Sequence, residues 1–460
     1  KFFDICIPII SSVYVSRVLM AEGVGRVAYS MTIATYFLTF AMLGLPNYGV
    51  RAIAANGSSE KGLRNTFSEL FLINTISTVL MIIAYYGAVC GLDMFGDDRD
   101  IFLVIGLTIV SNLFNIEWFY QGTENYRFIA IRSMVVKVGM LIPLFFFVKT
   151  RNDCFNYALI TGIMYMVTQL ANIPHIIQNL HLSKVDLNIK RHLKPVFVLF
   201  ASSVATEIYV LFDSTMLGII HGTVYVGYYS NATKLIRMFF MLITALVAII
   251  YPRISRYAEE GRDQEANNLV DVATEATRYI MVPATLGIIV AADYIVLAMF
   301  GNTFKGTIFP LRILSVLLLL FSYAYTKGHL LLMAYGKEST ILKSAICGAV
   351  CNFCLNLVLI PNYKQEGAAV ASVIAETLVT VILLRESSKM NYNDRNKVRY
   401  WEIVLAGVFL IVLLVLKALF NTLELNVVVK FIAYVACAAL CYGLLSFKWI
   451  KSLLYKIKTM

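Results

Sequence analysis

Charged residues are scarce in this chain. Asp, Glu, Lys and Arg together make up 15% of its 460 residues, against about 25% in an average soluble protein. This scarcity excludes three soluble domains, which the length alone would allow, and it excludes a mostly disordered chain. Instead, 59% of the residues are hydrophobic and the mean hydropathy is +0.74. Because a membrane span needs roughly 20 apolar residues, the composition predicts an all-α polytopic membrane protein.

Residues and motifs for metal or enzyme chemistry are also few. The chain has five histidines, and its densest cysteine group, Cys347, Cys351 and Cys354, shares a helical face with no His or acid nearby. The sequence contains no G-x-x-x-x-G-K-[ST] phosphate loop, no H-E-x-x-H zinc motif and no G-x-S-x-G elbow. We therefore expect no enzyme activity, no catalytic residue, no metal and no cofactor.

Apolar runs separated by short polar breaks predict fourteen spans. Residue 1 is Lys and the first apolar run starts at once, so we expect the first span to be truncated. No connector is long enough to hold a soluble domain, and the function is therefore expected within the helix bundle. The predicted spans are 2–19, 28–49, 67–91, 101–121, 128–148, 154–177, 195–219, 225–251, 276–298, 307–334, 340–360, 367–384, 401–420 and 427–447.

The excess of positive charge predicts the orientation of the chain. The net charge of +11 would suggest nucleic acid as a partner in a soluble protein, but cytoplasmic loops of membrane proteins are basic in any case. With the N-terminus in the cytoplasm, the even-numbered connectors and the tail hold more than twice as many Lys and Arg residues as the odd-numbered ones. We therefore expect both termini in the cytoplasm and no nucleic-acid partner.

A weak internal repeat predicts two related halves. Val24-Gly25 opens the second span, with Tyr29-Ser30 after it, and Val226-Gly227 opens the eighth, with Tyr228-Tyr229-Ser230 after it. An offset of six spans predicts two lobes of parallel topology, and two further helices follow them. The expected boundaries are an N-terminal six-helix lobe over 1–180, a C-terminal six-helix lobe over 181–390, and two added helices with a basic tail over 391–460.

Cations inside the spans are the first candidates for a binding site, because ionisable groups in hydrocarbon usually face a cavity or a partner. On span 8, Lys234 and Arg237 follow Asn231 at three-residue intervals and form one polar stripe. Lys327 lies deep in span 10. We interpret these residues as lining a cationic, aqueous cavity between the two lobes. Five other charges are expected to snorkel from span ends: Arg132, Arg278, Asp293, Arg312 and Lys343.

Acids inside the spans leave two interpretations open. Span 4 carries Glu117, and span 7 carries Asp213 on one face with Thr206 and Tyr209, while Glu207 lies on the flank. Such carboxylates could couple transport to a proton or to sodium, or they could neutralise buried cations. Among them Asp213 is our choice for coupling.

Nine short segments give the chain a family resemblance over roughly residues 10–385. In this order they resemble polysaccharide repeat-unit flippases of the Wzx type, which serve O-antigen and capsule synthesis and belong to the multidrug/oligosaccharidyl-lipid/polysaccharide exporter superfamily. The segments are Tyr14-Val-Ser-Arg17-Val-Leu, Glu22-Gly-Val-Gly25, Leu43-Gly-Leu-Pro-Asn-Tyr-Gly-Val-Arg51, Glu117-Trp-Phe-Tyr-Gln-Gly122, Arg191-His-Leu-Lys-Pro195, Asp213-Ser-Thr-Met-Leu-Gly218, Val226-Gly-Tyr-Tyr-Ser-Asn-Ala232, Pro252-Arg-Ile-Ser255 and Gly367-Ala-Ala-Val-Ala371.

The resemblance implies a fold, a substrate and a set of site residues. It implies 12 to 14 spans in two pseudo-symmetric lobes, which move an undecaprenyl-diphosphate-linked oligosaccharide from the inner to the outer leaflet of the bacterial inner membrane. By analogy with lipid II flippases, Arg17, Arg51 and Arg237 would bind the diphosphate. Lys234 and Lys327, as further cations inside the spans, are predicted to bind it as well. Near Arg17 this chain departs from the related flippases, because Met20 stands where a glycine is expected.

Two other functions stay open from the sequence. A multidrug or cation antiporter of the same superfamily would need acids rather than cations at its centre. A membrane-embedded polysaccharide polymerase or ligase would need a sizeable loop with catalytic groups. The expected partners of a flippase are the lipid-linked oligosaccharide, the bilayer and a proton or sodium counter-ion.

Overall fold

The protein is described here by a computed structural model that covers residues 2–56, 59–181, 187–390 and 400–451. Every regular element in these ranges is a helix and none is a strand, as the sequence predicts. Helices satisfy their backbone hydrogen bonds internally, and hydrocarbon offers no other partner for them. The chain divides into two compact units, Lys1–Gly227 and Tyr228–Met460. The lobe boundaries expected at residues 180 and 390 stay predictions, and 391–399 and 452–460 lie outside the described residues.

The first unit is built from long helices interrupted by short ones. A 3₁₀ turn, Asp93–Asp98, precedes α4, and a second, Asn112–Phe114, separates α5 from α6. The helices are α1 (Phe2–Met42), α2 (Leu45–Asn56), α3 (Glu60–Gly91), α4 (Arg99–Ile105), α5 (Leu107–Ser111), α6 (Glu117–Gly122), α7 (Tyr126–Phe147), α8 (Cys154–Leu170), α9 (Ile173–Asn179) and α10 (Lys190–His221).

The second unit begins within α11, so that the first turn of this helix belongs to the first unit. A 3₁₀ turn, Asn302–Thr307, precedes α13, and a π-helical turn, Ala324–Leu330, follows α14. The helices are α11 (Thr223–Glu259), α12 (Asp263–Met299), α13 (Ile308–Leu314), α14 (Val316–Tyr323), α15 (Leu331–Ala334), α16 (Glu338–Ser388), α17 (Tyr400–Thr422) and α18 (Val427–Leu445).

Eleven helical segments of the described residues are long and apolar enough to cross a membrane. Two of them, Ile7–Asn56 and Glu338–Ser388, contain 50 and 51 residues. At 1.5 Å per residue each would measure about 75 Å, more than twice the roughly 30 Å of a hydrocarbon core. Each segment is therefore long enough for two crossings. The total of fourteen spans stays a prediction.

Helix α16 is in fact two helices that run back along each other. Its backbone leaves helical geometry at Lys364, where φ is 53° and ψ is −134°. A Cβ atom added to Gly348 would overlap the side chain of Val379, 31 residues further along. Those residues would be about 46 Å apart in a straight helix. The turn at Lys364 therefore makes a hairpin, in agreement with the two spans predicted there.

Helix α1 is bent at Met20, the residue that replaces the glycine expected from the related flippases. Its φ of 60° and ψ of −175° fall in a region that is essentially restricted to glycine, and a side chain there costs of order 1–3 kcal/mol. The departure from the family pattern thus falls on a position whose backbone conformation favours glycine.

The burial pattern is inside-out compared with a soluble protein. Large apolar side chains are exposed, among them Phe146 at 67% and Ile249 at 76%, whereas Ser68, Thr78 and Asn231 are fully buried. Outward-facing apolar side chains are at no disadvantage in lipid, and inward-facing small polar side chains allow close helix packing and hydrogen bonds. The exposed apolar surface therefore identifies the lipid-facing side of the helices.

The two glycines that the internal repeat aligns lie against each other. A Cβ atom added to Gly25 would overlap the carbonyl oxygen of Thr223 and would lie 3.1 Å from the backbone nitrogen of Gly227. A Cβ atom added to Gly227 would overlap the carbonyl oxygen of Ala21 and would lie 3.3 Å from the Cα atom of Gly25. Two backbones meet here without an intervening side chain, as in small-residue helix contacts in membranes.

We expect Gly25→Ala to lower the stability of the purified protein by about 2 kcal/mol, because the added methyl group must push two backbones apart. Thermal unfolding in detergent measures the effect. Gly139→Ala is the matched control, since a Cβ atom at Gly139 on α7 meets nothing within 4 Å and alanine favours the helix. Equal melting temperatures for the two variants would contradict the close contact.

Candidate functional site

Several charges inside the helices of the second unit are held in ion pairs. Arg278 donates to Glu402 at 2.8 Å, and both side chains are about 95% buried. Lys417 donates to Asp293 at 2.7 Å. The expectation that Arg278 snorkels from a span end is wrong, because α12 begins at Asp263 and places Arg278 well inside the helix. A buried guanidinium needs a carboxylate, and α17 supplies it.

Lys234 and Arg237 differ from these paired residues. They lie 11 and 14 residues into α11, roughly 16 and 21 Å along its axis. The two cations are close enough to interact electrostatically. None of the ion pairs that the structure describes includes either residue. Lys234 and Arg237 thus lie three residues apart near the middle of one long apolar helix. Among the described residues, no carboxylate forms a salt bridge with either of them.

Lys327, the third predicted cation of the second unit, lies in the π-helical turn that follows α14. Its side chain is buried, and its Nζ atom is 6.0 Å from the centre of the Tyr323 ring. Turns of this kind occur frequently at functional sites. The geometry is compatible with the predicted role, which stays a prediction.

The two predicted arginines of the first unit are exposed. Arg17 lies on α1 one turn before the bend at Met20, and Arg51 lies on α2. Their role in diphosphate binding therefore stays an expectation from the family resemblance.

A break in the helix of the fourth predicted span brings polar side chains together in the first unit. The backbone changes from α5 to a 3₁₀ turn at Asn112, becomes extended at Asn115 and resumes as α6 at Glu117. Asn115 Nδ2 donates to Asn112 Oδ1 at 3.1 Å, and the backbone N–H of Glu117 donates to Asn115 Oδ1 at 3.2 Å. Side-chain amides thus replace the missing helical hydrogen bonds, which membrane depth requires.

Glu117 is held by Arg132 of α7, whose Nη2 donates to Glu117 Oε1 while its Nη1 donates to Asn172 Oδ1. The expectation that Arg132 snorkels is therefore wrong, because its side chain is 3% exposed and α6 brings a carboxylate to it. Asn172 in turn donates to Gln169 Oε1 at 2.8 Å. One hydrogen-bonded chain thus connects the broken span to α7 and α8.

A cavity of about 260 Å³ lies beside this network, entirely within the first unit. Ten of the thirteen lining residues have polar side chains, although most of the surface that they expose to the cavity is apolar. The polar lining residues are Thr108, Ser111, Asn112, Asn115, Glu117, Ser133, Lys137, Tyr165, Thr168 and Gln169.

The acids of the seventh predicted span lie on α10. Asp213 is buried and Glu207 is half-buried. Both carboxylates act electrostatically on the hydroxyl of Tyr36, which is 2.9 Å from Thr215 Oγ1. The side chains of Thr206 and Tyr209, predicted on the same face, lie outside the described residues.

One buried charged cluster is not predicted by the sequence analysis. Glu69 of α3 is 2% exposed and accepts hydrogen bonds from the backbone N–H of Asn188 at 2.8 Å and from Arg191 Nε at 2.9 Å. His192 Nε2 lies 2.6 Å from Glu69 Oε2, and its Nδ1 lies 2.7 Å from the hydroxyl of Tyr48. Glu69 lies inside the third predicted span, and an acid at that depth indicates a buried partner. The sequence does not show which partner, because Asn188, Arg191 and His192 are about 120 residues away.

A loop carboxylate illustrates local rather than long-range pairing. Asp153, between α7 and α8, accepts hydrogen bonds from the backbone N–H groups of Lys149 at 2.9 Å and Thr150 at 2.7 Å, and these bonds lower the pKa of its side chain. Within the part of the chain that the structure describes, no group of three or more His, Cys, Asp or Glu side chains is placed to hold a metal ion.

A family model described as Polysaccharide biosynthesis protein matches residues 2–258, more than half of the chain. The chain belongs to this family. One similar protein is an O-antigen transporter of Escherichia coli (strain K12), 21% identical over 383 residues, 82% of this chain and 92% of the relative. Another is the low-salt glycan biosynthesis flippase Agl15 of Haloferax volcanii, 25% identical over 181 residues, 39% of this chain and 38% of the relative. The predicted family is confirmed, and these relatives are transporters rather than enzymes.

Solved structures confirm the fold of this polysaccharide biosynthesis protein. The lipid II flippase MurJ in an inward closed conformation has a TM-score of 0.76 at 16% identity and covers 97% of both chains. An inward-facing multidrug resistance MATE family transporter has a TM-score of 0.66 at 15% identity, over 84% of this chain and 93% of that chain. Both belong to the predicted fold class of polytopic, all-α transporters.

The Glu69 cluster yields a stability prediction. We expect Glu69→Gln to lower the free energy of unfolding by about 2 kcal/mol, because the buried partners lose a charged acceptor. Glu60→Gln is the matched control on the same helix, since the exposed Glu60–Arg64 pair contributes less than about 0.5 kcal/mol. Thermal unfolding of both variants in detergent is the measurement, and a larger loss in the Glu60 variant would refute the prediction.

Proposed function

We propose that this chain is a flippase that moves a lipid-linked oligosaccharide from the inner to the outer leaflet of the bacterial inner membrane. The similarity to an O-antigen transporter and to a glycan biosynthesis flippase supports the proposal. The proposed substrate is an undecaprenyl-diphosphate-linked repeat unit for O-antigen, capsule or exopolysaccharide. Both termini are proposed to lie in the cytoplasm, since that orientation satisfies the positive-inside rule.

The observation on which this proposal mainly rests is the position of Lys234 and Arg237 on α11. Two cations in the middle of an apolar helix are unfavourable unless water or an anion accompanies them. A diphosphate presents several oxygens, and a guanidinium can bind two of them at once. Arg132 and Arg278, which are buried, already hold carboxylates, whereas Arg237 is exposed and has no described carboxylate partner. Lys234 and Arg237 are therefore the proposed diphosphate site, with Arg17, Arg51 and Lys327 as further proposed contacts.

The proposed mechanism is alternating access. A diphosphate crosses hydrocarbon only if cations replace its water shell, and the site must open to one leaflet at a time so that ions do not leak. A site that binds the headgroup tightly releases it slowly. Transport in one direction therefore needs an energy source that drives the release. We propose that a proton or sodium ion provides it.

The acids divide between the two roles left open by the sequence. Glu117 is neutralised by Arg132, and we propose it as a buried charge partner. Glu207 and Asp213 are both close enough to Tyr36 to act on it electrostatically, and a carboxylate inside a membrane helix can bind a proton or a cation. Asp213 is the more buried of the two and is the proposed coupling residue.

A cation antiporter is the alternative within the same superfamily. The similarity to a multidrug resistance MATE family transporter establishes the fold and does not extend to its substrate. Lys234 and Arg237 would repel a cationic drug, and this favours the flippase.

We expect Arg237→Ala to reduce flipping of a fluorescent lipid-diphosphate-sugar in proteoliposomes by tenfold or more, since a charged hydrogen bond contributes about 1.5–3 kcal/mol. Arg237→Lys should recover only part of the rate because the planar fork is lost. The matched control is Arg256→Ala, near the end of the same helix, where Arg256 lies at 3.8 Å from Glu260 on the surface.

The double variant Lys234→Gln/Arg237→Gln should be slower than either single variant. A double variant that flips the lipid at the parental rate would exclude the proposed diphosphate site. A parent protein that exports organic cations and flips no lipid would instead favour the antiporter.

We expect Asp213→Asn to abolish the dependence of flipping on a proton or sodium gradient while the protein still folds. The measurement compares flipping with and without an imposed gradient. Asp97→Asn, in the exposed turn between α3 and α4, should keep the parental dependence. If the Asp213 variant responds to the gradient as the parent does, another group couples transport.

A further inference from the structure

Exposed cations collect at the open end of the α16 hairpin, in the segments 337–343 and 385–389. Glu386 accepts a hydrogen bond from Lys389 and is close enough to two of the other cations to interact with them electrostatically. Glu338 is the other carboxylate in these segments. Four cations therefore accompany two carboxylates, and this surplus favours an anion. The exposed cations are Lys337, Lys343, Arg385 and Lys389.

Lys343 and Arg385 lie at the same depth of the hairpin. The contact between Gly348 on the first arm and Val379 on the second sets the register of the two arms. Lys343 precedes Gly348 by five residues, about 7.5 Å, and Arg385 follows Val379 by six residues, about 9 Å. Because the arms are antiparallel, both offsets run toward the open end of the hairpin. The two cations are therefore within about 2 Å of the same level.

Lys343 and Arg385 also lie on one face of the hairpin. Successive residues of an α-helix turn by about 100°, so Lys343 is rotated by about 140° from the direction of Gly348. By the same geometry, Arg385 is rotated by about 120° from the direction of Val379. Since the arms run in opposite directions, these two rotations bring both side chains to the same side of the hairpin.

The exposed apolar side chains identify that side as the lipid-facing one. Helical rotation places Cys347 and Leu378 on the same side as the two cations, and both residues are exposed. Ser387 falls on the opposite side and is buried. Lys343 and Arg385 therefore stand at the edge of a lipid-covered surface, where long basic side chains extend along apolar surface toward the lipid headgroups.

A phospholipid fits this surface better than a soluble anion does. Among the described residues, no carboxylate forms a salt bridge with Lys343 or Arg385. Packed helices lie about 8–10 Å apart, so the two cations border a gap that a phosphodiester can fill, and a guanidinium can bind two of its oxygens. A soluble anion leaves the neighbouring apolar side chains uncovered, whereas a phospholipid covers them with its acyl chains.

We propose that Lys343 and Arg385 form a binding site for the headgroup of an anionic phospholipid, whose acyl chains lie along the adjoining apolar face of α16. The bound headgroup neutralises the surplus charge at the open end of the hairpin. This site lies within the second unit and is separate from the proposed diphosphate site on α11. It does not depend on the proposed flippase function.

The test compares two phospholipids with the same acyl chains, dioleoyl phosphatidylglycerol and dioleoyl phosphatidylcholine, on the full-length protein in detergent. Native mass spectrometry at graded lipid concentrations gives an apparent dissociation constant for each. We expect the anionic phosphatidylglycerol to bind about twentyfold more tightly, since each of two basic residues contributes about fivefold. Lys343→Gln and Arg385→Gln should each reduce this preference about fivefold, and the double variant should reduce it to within about twofold.

Arg127→Gln is the matched control, because Arg127 is an exposed arginine at the start of α7 in the first unit. It should keep the parental preference, and so should Lys343→Arg, which keeps the charge. A parent that binds both lipids equally, or a double variant with the parental preference, overturns the proposal. A loss in Arg127→Gln as large as that in Arg385→Gln reveals only a general surface charge and also overturns it.

Two competitors separate a phospholipid from other sources of phosphate. Glycerol phosphate carries the headgroup phosphate without acyl chains, and undecaprenyl phosphate carries a phosphate on a polyprenyl chain. Neither should displace phosphatidylglycerol at equal concentration. Displacement by glycerol phosphate assigns the two cations to a soluble anion, and displacement by undecaprenyl phosphate assigns them to a polyprenyl lipid. Either result overturns the proposal, whereas a parent that flips no lipid leaves it intact, because binding is measured without transport.

Discussion

The high cost of leaving a charge or a backbone polar group unsatisfied in hydrocarbon governs this structure. It explains why the described residues form helices and no strands, and why small polar side chains face inward while large apolar ones face outward. It also explains why the cations Arg132, Arg278 and Lys417 each meet a carboxylate. Lys234 and Arg237 of α11 have no described carboxylate partner, and in this respect they differ from the paired cations.

Places where a helix departs from regular geometry coincide with places where polar groups collect. The fourth predicted span is interrupted at Asn112–Phe114. Side-chain amides that border the cavity supply hydrogen-bond partners for backbone groups near the interruption. The π-helical turn Ala324–Leu330 contains the buried Lys327. A regular helix needs no side chain to satisfy its backbone. An interrupted one does, and the side chains recruited for that task create the conditions for binding a polar ligand.

The sequence predicts the fold class and the family, because these depend on local composition and order along the chain. It does not predict pairing, which depends on distant contacts. Arg132 and Arg278 were expected at span ends, yet each lies buried beside an acid from another helix. The Glu69–His192 contact joins residues about 120 positions apart, and no local pattern encodes it. Met20 is an intermediate case, since the missing glycine was visible and its positive φ was not.

Pairing state gives a physical criterion for separating structural from functional charges in this family fold. A carboxylate and a guanidinium that hold one another are already stabilised, and exchanging either partner for a transported ion would leave the other uncompensated. The Glu117–Arg132 pair fits that description, so its place beside the cavity is best understood as a fixed wall. The α11 cations interact with one another and not with a described acid. In the function proposed here, a bound diphosphate relieves the repulsion between them, and that relief contributes to the binding energy.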